Sequence, residues 1–513
     1  MKENNDHPKA LEIYLNLRKE IQHYQEITGI AHWDMMTMAP KAGKALHSEA
    51  LGTLSTEAFK RSISKEMEEV LEALMEKGTF ETLDRKYQRS VEKDYKGLQR
   101  FRKIPEKEYR EYVVLTSKAQ NVWEEARENN DFQLFQPYLE KIIDFNRRAA
   151  ELFGYEEHPY NALLDHYEEG MTVKELDDIF SVLKKEIIKL LQTIQESSVK
   201  PLKKYDNLEL SVEKQKILSR RVLEMIGYDF SAGRLDESVH PFTIGLNPKD
   251  VRLTTRYRKD FFKMALYGTI HEGGHGMYEQ NIPMELFGTS AGSAASTGIH
   301  ESQSRFWENV IGRSEEFWIG IIDEFKEIFG EEAKEVTLEE MVPYVNIVEP
   351  SLIRVEADEL TYSLHIILRY ELEKDLLTKK ISVAELPEKW NAKMQEMMGL
   401  LPENDRVGVL QDVHWSGGMI GYFPTYALGN IYSAQLAETM EKDLPDYRDL
   451  VKNRDFEPIK QWMVEKVHSR GSLLTAKELL KEITGSALTS EPYIRYLTEK
   501  YRRIYKFSGN KAE

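Results

Sequence analysis

The chain has 513 residues, 41% of them hydrophobic, so it can bury a large core and has the length for about two to four domains. Its 87 acidic residues against 70 basic ones give a formal net charge of −17. That balance argues against a nucleic-acid partner or an anionic membrane, because both require a basic face. The absence of cysteine excludes disulfides, thiolate metal sites and a cysteine nucleophile. The polar N-terminus carries no apolar signal region, and no apolar run is long enough to span a bilayer. The expectation is a soluble, cytoplasmic protein.

Helical periodicity dominates from the start. Leu11, Tyr14, Leu15 and Leu17 open an amphipathic stretch that continues through Ile21 and Tyr24. Residues 83–127 carry spaced apolar positions among dense charge and contain one proline, Pro105. Leu176, Ile179, Phe180, Leu183, Ile187 and Leu190 follow helical spacing over 173–197, and Thr172 with Glu175 forms a capping-box pattern at its start. The polar, proline-containing stretch 197–210 is a seam, dividing an N-terminal helical lobe (1–200) from a catalytic lobe (201–513). Further helices are expected at 211–227, 257–283, 300–312, 350–378, 383–399, 422–441 and 475–504. Strand signals are confined to His240–Leu246 and Asp250–Tyr257, which read as a small hairpin or neighbouring strands. The glycine- and serine-rich segment 283–298 reads as a loop. The class is mostly α with a minor β element.

His271-Glu272-Gly273-Gly274-His275 matches HExxH. Positions four apart share a helix face, so both imidazoles can reach one ion, while Glu272 sits beside it as a base. Gly273, Gly274 and Gly276 cost a helix interior about 1 kcal/mol each relative to alanine. Either a close backbone or substrate approach, or tight helix packing, accounts for them. A catalytic zinc needs a third protein ligand. Glu279 is excluded, since ligands at 271, 275 and 279 span roughly 12 Å of a straight helix. Glu301 is the candidate from a later helix, and spacing alone leaves Glu285 and Glu308 open.

Six motifs then occur in order: His240-Pro241-Phe242; Asp250, Arg252 and Thr254; the HExxH; His300 to Ser304; Ile353-Arg354 with Ala357-Asp358; and Gly408, Gln411, Asp412, His414 and Trp415. Together they resemble the Taq-type metallocarboxypeptidases. The resemblance implies a neurolysin-like helical fold with a deep groove between two lobes and a small sheet near the active site. It also implies one zinc ion per chain (or cobalt) on His271, His275 and Glu301, and a homodimer. The implied activity is removal of single residues from peptides with a free C-terminus, with broad side-chain preference. A helical zinc oligoendopeptidase is the alternative.

Within that reading Glu272 is the general base. Tyr422 and Tyr426 are candidate donors to the oxyanion, and His414 is a candidate for holding the substrate backbone. Arg252 and Arg354 are candidates for binding the terminal carboxylate, because an arginine fork matches a carboxylate bidentately. His240 joins them as a substrate-binding candidate from its motif. Arg354 and Asp358, four apart, could instead pair with each other on one helix face. Asp358 and Asp412 could orient metal-ligating histidines from behind.

Overall fold

The computed structural model describes residues 6–507; the first five residues of the segment read for a targeting signal lie outside it. Helices dominate, and a single three-stranded sheet is present among the described residues. No described helix is long and apolar enough to cross a membrane.

Local signals set most helix ends. The box at Thr172 forms in full and starts the helix Val173–Glu196. Pro105 separates Arg85–Lys103 from Glu106–Asn129. The stretch expected over 475–504 is two helices, Ala476–Thr484 and Glu491–Tyr505. Gly485 takes φ +74° at the end of the first, a left-handed cap that suits glycine. The helix expected to begin at 350 begins at Glu359. Asp358 caps it by accepting from the amides of Leu360 and Thr361, both at 2.9 Å. Arg354 lies before that cap in a short 3₁₀ turn, Arg354–Glu356. It therefore shares no helix face with Asp358, and the pair suggested by spacing does not form.

The hairpin is present as β2 (Thr243–Asn247) antiparallel to β3 (Asp250–Thr255). A third strand, β1 (Gly233–Glu237), pairs parallel with β3 and makes β3 central. The sequence of β1 contains no β-branched residue, so it gave no strand signal. The N-terminal helix, Asp6–Thr37, lies along β2 and covers that edge. Gln22 donates to the Leu246 carbonyl at 3.4 Å, and Asn247 donates to Glu26 at 2.8 Å.

Two buried apolar clusters hold the chain together. The smaller joins Tyr14, Leu17 and Ile21 to Leu71, Leu74 and Val91. The larger runs from Ala119 to Tyr505 and includes Trp307, Trp318 and Trp390, all essentially inaccessible. Inside the larger cluster the helix Phe262–Gln280 packs on Thr297–Arg305, which in turn packs on Pro424–Asp443. Glycines make both approaches possible. A Cβ on Gly274 would lie 2.6 Å from the Gln303 carbonyl oxygen and 2.7 Å from Ser304 Cα. A Cβ on Gly429 would lie 2.7 Å from Glu301 Cβ. Gly273 and Gly276 face Leu223 and Leu253. Helix packing thus accounts for the glycines around the HExxH.

At Gly274 the obstacle is backbone, which cannot swing aside. Gly274→Ala is expected to cost about 1–3 kcal/mol, read as a lower urea midpoint in metal-free protein. An unchanged midpoint would show that the two helices have slack.

Candidate metal centre and substrate groove

The HExxH falls on the helix Phe262–Gln280, so His271 and His275 stand one turn apart with ring centroids 5.0 Å apart. The packing described above brings Glu301 to the same point. Its Oε2 lies 3.7 Å from His271 Nε2 and 3.3 Å from His275 Nε2. Among the described residues these three form the one His/Cys/Asp/Glu group whose ligand atoms all fall within 4.8 Å. Ligand atoms about 2.0–2.2 Å from a tetrahedral zinc are roughly 3.4 Å from one another. The spacing and the two-imidazole, one-carboxylate donor set therefore fit such an ion. Glu285 is exposed and outside the group.

Glu308 takes a different place. Its Oε2 lies 2.8 Å from His271 Nδ1, so the carboxylate fixes the tautomer and leaves the Nε2 lone pair for an ion. A π-helical turn over Phe306–Ile311 carries Glu308 there. Arg305 Nε donates to Glu301 Oε1 at 2.7 Å, and its Nη1 donates to Glu308 at 3.3 Å. Arg313 donates to Glu308 from the other side at 3.2 Å. His275 Nδ1 is buried with no hydrogen-bond partner among the described residues, and its ring stacks on His300 at 4.5 Å.

The electrostatics suit a cation. Burial opposes charge on Glu301, but Arg305 and the two imidazoles hold its carboxyl well below the usual range. Burial, with His300 beside it, pushes His275 down to about 3, which keeps the ring neutral. Burial also opposes charge on His271, yet Glu301 and Glu308 together raise it. Glu272 is buried at 7% exposure, and burial pushes its carboxyl up against the opposing pull of His271 and Thr243. Thr243 Oγ1 on β2 donates to Glu272 Oε2 at 2.6 Å.

These groups line a cavity of about 750 Å³ whose walls also carry Phe242, Tyr422, Tyr426 and Lys93. Pro241 and Phe242 of the first motif face the cavity, while His240 is exposed and outside its lining. Tyr426 is bonded through its hydroxyl to His414 Nε2 at 3.2 Å, and the Tyr422 ring lies 5.3 Å from that of Tyr426. His414 stands behind the two tyrosines; burial lowers it to about 4 despite Asp412 nearby.

Both arginines lie outside the lining, each on an aspartate. Arg252 grips Asp250 at 2.7–2.8 Å and lies over the Trp33 ring at 4.8 Å. Arg354 donates to Asp412 at 2.9 and 3.1 Å and to the Tyr362 hydroxyl at 3.0 Å. Asp412 also receives Arg369 at 2.7 Å, and the two arginines hold its carboxyl far down against its own burial. Neither Asp358 nor Asp412 touches a metal-facing histidine; Glu308 does that instead. Sequence reasoning missed Glu308 in this role, along with Arg305, Thr243 and Arg369. Of these only Arg305 carried a signal, standing four residues after Glu301 on one helix.

The profile of the family described as "Carboxypeptidase Taq (M32) metallopeptidase" matches residues 13–501. "Carboxypeptidase 1" of Bacillus subtilis is 47% identical over 492 residues, covering 96% of this chain and 98% of the relative. "Thermostable carboxypeptidase 1" of Thermus thermophilus is 38% identical, covering 97% and 99%. The solved M32 carboxypeptidase of Deinococcus radiodurans superposes with a TM-score of 0.94 at 34% identity, covering 97% of this chain and all of that one. With the helical fold, the cavity and the HExxH helix alongside these matches, the chain belongs to the carboxypeptidase Taq (M32) family and is a metallocarboxypeptidase.

Proposed function

We propose that the chain is a zinc-dependent carboxypeptidase that releases single residues from the free C-terminus of peptides with broad side-chain tolerance. The observation that carries this reading is one cavity holding His271, His275, Glu301 and the buried carboxylate of Glu272 together. His271, His275 and Glu301 hold the ion. When bound, a divalent ion there polarises the scissile carbonyl and makes water acidic enough to lose a proton near neutral pH.

The chain's own groups do the rest. Glu272 takes the proton from the attacking water and returns it to the leaving amine, a role typically contributing about 10²–10⁴ in rate. Thr243 holds Glu272 Oε2, which leaves Oε1 to turn toward the reacting atoms. Tyr422 donates to the carbonyl oxygen as it gains charge, since the Tyr426 hydroxyl is engaged with His414. Tyr426, bonded to His414 behind it, shapes the cavity against the bound peptide. His240, Arg252 and Arg354 stand outside the lining and act on the peptide only from there, the arginines as positive charge already paired with aspartates. The same reading carries a cytoplasmic location and a homodimer, the latter checked by light scattering at micromolar concentration.

Chelation is expected to abolish hydrolysis of a blocked dipeptide with a free C-terminus, and zinc or cobalt to restore it at one ion per chain. Full activity in metal-free protein would sink the assignment. Glu272→Gln should keep the ion and the fold while kcat falls about 10²–10⁴-fold; a loss of less than tenfold would remove Glu272 as the base. Thr243→Val should lower kcat about tenfold or more, the scale of a hydrogen bond to a charged group, with little change in KM. Thr243→Ser should recover most of it, and equal kcat in both variants would leave Thr243 without a positioning role.

A further inference from the structure

The helix Arg85–Lys103 presents Lys93, Lys96 and Arg100 to the cavity that holds the metal-site residues. These positions follow helical spacing, so one face of this helix forms a basic wall of the groove. Two of the three cations already bond carboxylates. Lys96 bonds Asp165 at 2.7 Å and Glu169 at 3.0 Å, and Arg100 bonds Asp165. Their neighbours Arg89 and Arg18 have carboxylates too, Glu169 and Asp94. Lys93 differs. Its ammonium donates to two serine hydroxyls, Ser472 at 2.7 Å and Ser293 at 3.2 Å, and among the described residues no carboxylate oxygen lies within 4 Å of it.

Neutral hydroxyls orient an ammonium without balancing its charge. Burial, with Arg89 adding its own positive charge, lowers Lys93 to about 8 although Glu169 and Asp94 nearby pull the other way. A cation that has lost water and touches no carboxylate is poised for an anion from outside. Ser293 belongs to the loop that runs through Ala294–Thr297, all cavity-lining, into the helix bearing Glu301. The unbalanced charge and the metal-site residues thus share a continuous wall. Neither Arg252 nor Arg354 lines that wall, and each already carries an aspartate.

Building on the carboxypeptidase reading, we propose that Lys93 is a specificity residue that binds a carboxylate of the peptide lying in the groove. The carboxylate comes from an acidic side chain or from the free terminus, and two arms of one experiment separate these sources. The first arm measures kcat/KM on zinc-loaded enzyme for N-blocked alanine peptides with a free C-terminus. Each peptide carries Glu or its isostere Gln at one of the positions flanking the scissile bond. The second compares matched free and amidated C-termini. Wild type is expected to favour the carboxylate member of one pair about tenfold or more, the scale of a hydrogen bond between charged groups. That ratio should fall toward one in Lys93→Met and persist in Lys93→Arg.

A collapsing Glu/Gln ratio identifies a side-chain carboxylate, and a collapsing free/amidated ratio identifies the terminus. Ratios that stay at the wild-type value in both Lys93→Met and Lys93→Gln would overturn the proposal, as would wild-type ratios of one throughout. Because each ratio is internal to one protein, a uniform loss of activity does not disturb it. Should wild type cleave none of the peptides, the carboxypeptidase reading fails. Equilibrium binding of the same pairs to wild type and Lys93→Met then decides on Lys93 alone.

Discussion

A carboxylate buried at the meeting of three helices organises the active region. Glu301 is 5% exposed, and an unpaired charge so buried would cost several kcal/mol. Its position is tolerable because Arg305, one turn later on the same helix, reaches one oxygen, while two imidazoles face the other. Gly274 and Gly429 let the neighbouring helices close on it from both sides. The missing side chains weaken helix propensity but bring a carboxylate from a separate helix to the HExxH. Arg305 is in turn balanced by Glu308 and lies over the Tyr362 ring at 4.3 Å.

Charge pairing repeats in a buried cluster outside the cavity lining, with a different surplus. Asp412 stands between Arg354 and Arg369, so that buried cluster carries two cations for one anion. Gln411 fastens it by accepting from the Arg354 amide at 2.9 Å. Glu373 ties the following loop through the Trp415 indole at 2.8 Å and the Gly421 amide at 3.1 Å. Burial raises Glu373 to about 7, so these donors partly offset a real desolvation cost. Together these bonds hold the segment that presents Tyr422 and Tyr426 to the cavity. Motifs far apart in the chain are therefore parts of one polar scaffold.

The buried carboxylate of Glu272 shows what the sheet positions. Three strands add little to the core, yet β2 places Thr243 on Glu272 and sets Phe242 against the same cavity. The N-terminal helix covers β2, so residues near the start of the chain support the geometry of Glu272. Basic residues of the helix Arg85–Lys103 form part of the cavity wall. Most of that wall's charge is paired with carboxylates, and Lys93 is the cation there that bonds only hydroxyls.

Whatever depends on spacing along one element was legible in the sequence. Helical class, the capping box at Thr172 and the shared face of His271 and His275 all follow from periodicity and backbone chemistry within a few residues. Telling the place of Glu301 from that of Glu308 needed more than spacing, because both follow the same loop, and the π-turn after Glu301 decides where Glu308 points. The Arg354–Asp358 pair failed for a local reason, since an aspartate before a helix is worth more as a cap than as an ion-pair partner. The roles of Thr243, Glu308, Arg369 and Lys93 could not be read at all. Each depends on which side chain lies opposite across tens or hundreds of residues, and a hydroxyl or a charge in sequence carries no record of that partner. Sequence by itself determined the helices and the chemistry one helix can display. Tertiary packing alone decided the approach of Glu301 to the two histidines, the partner of Glu272 and the contacts of Lys93, because these are properties of distances between elements.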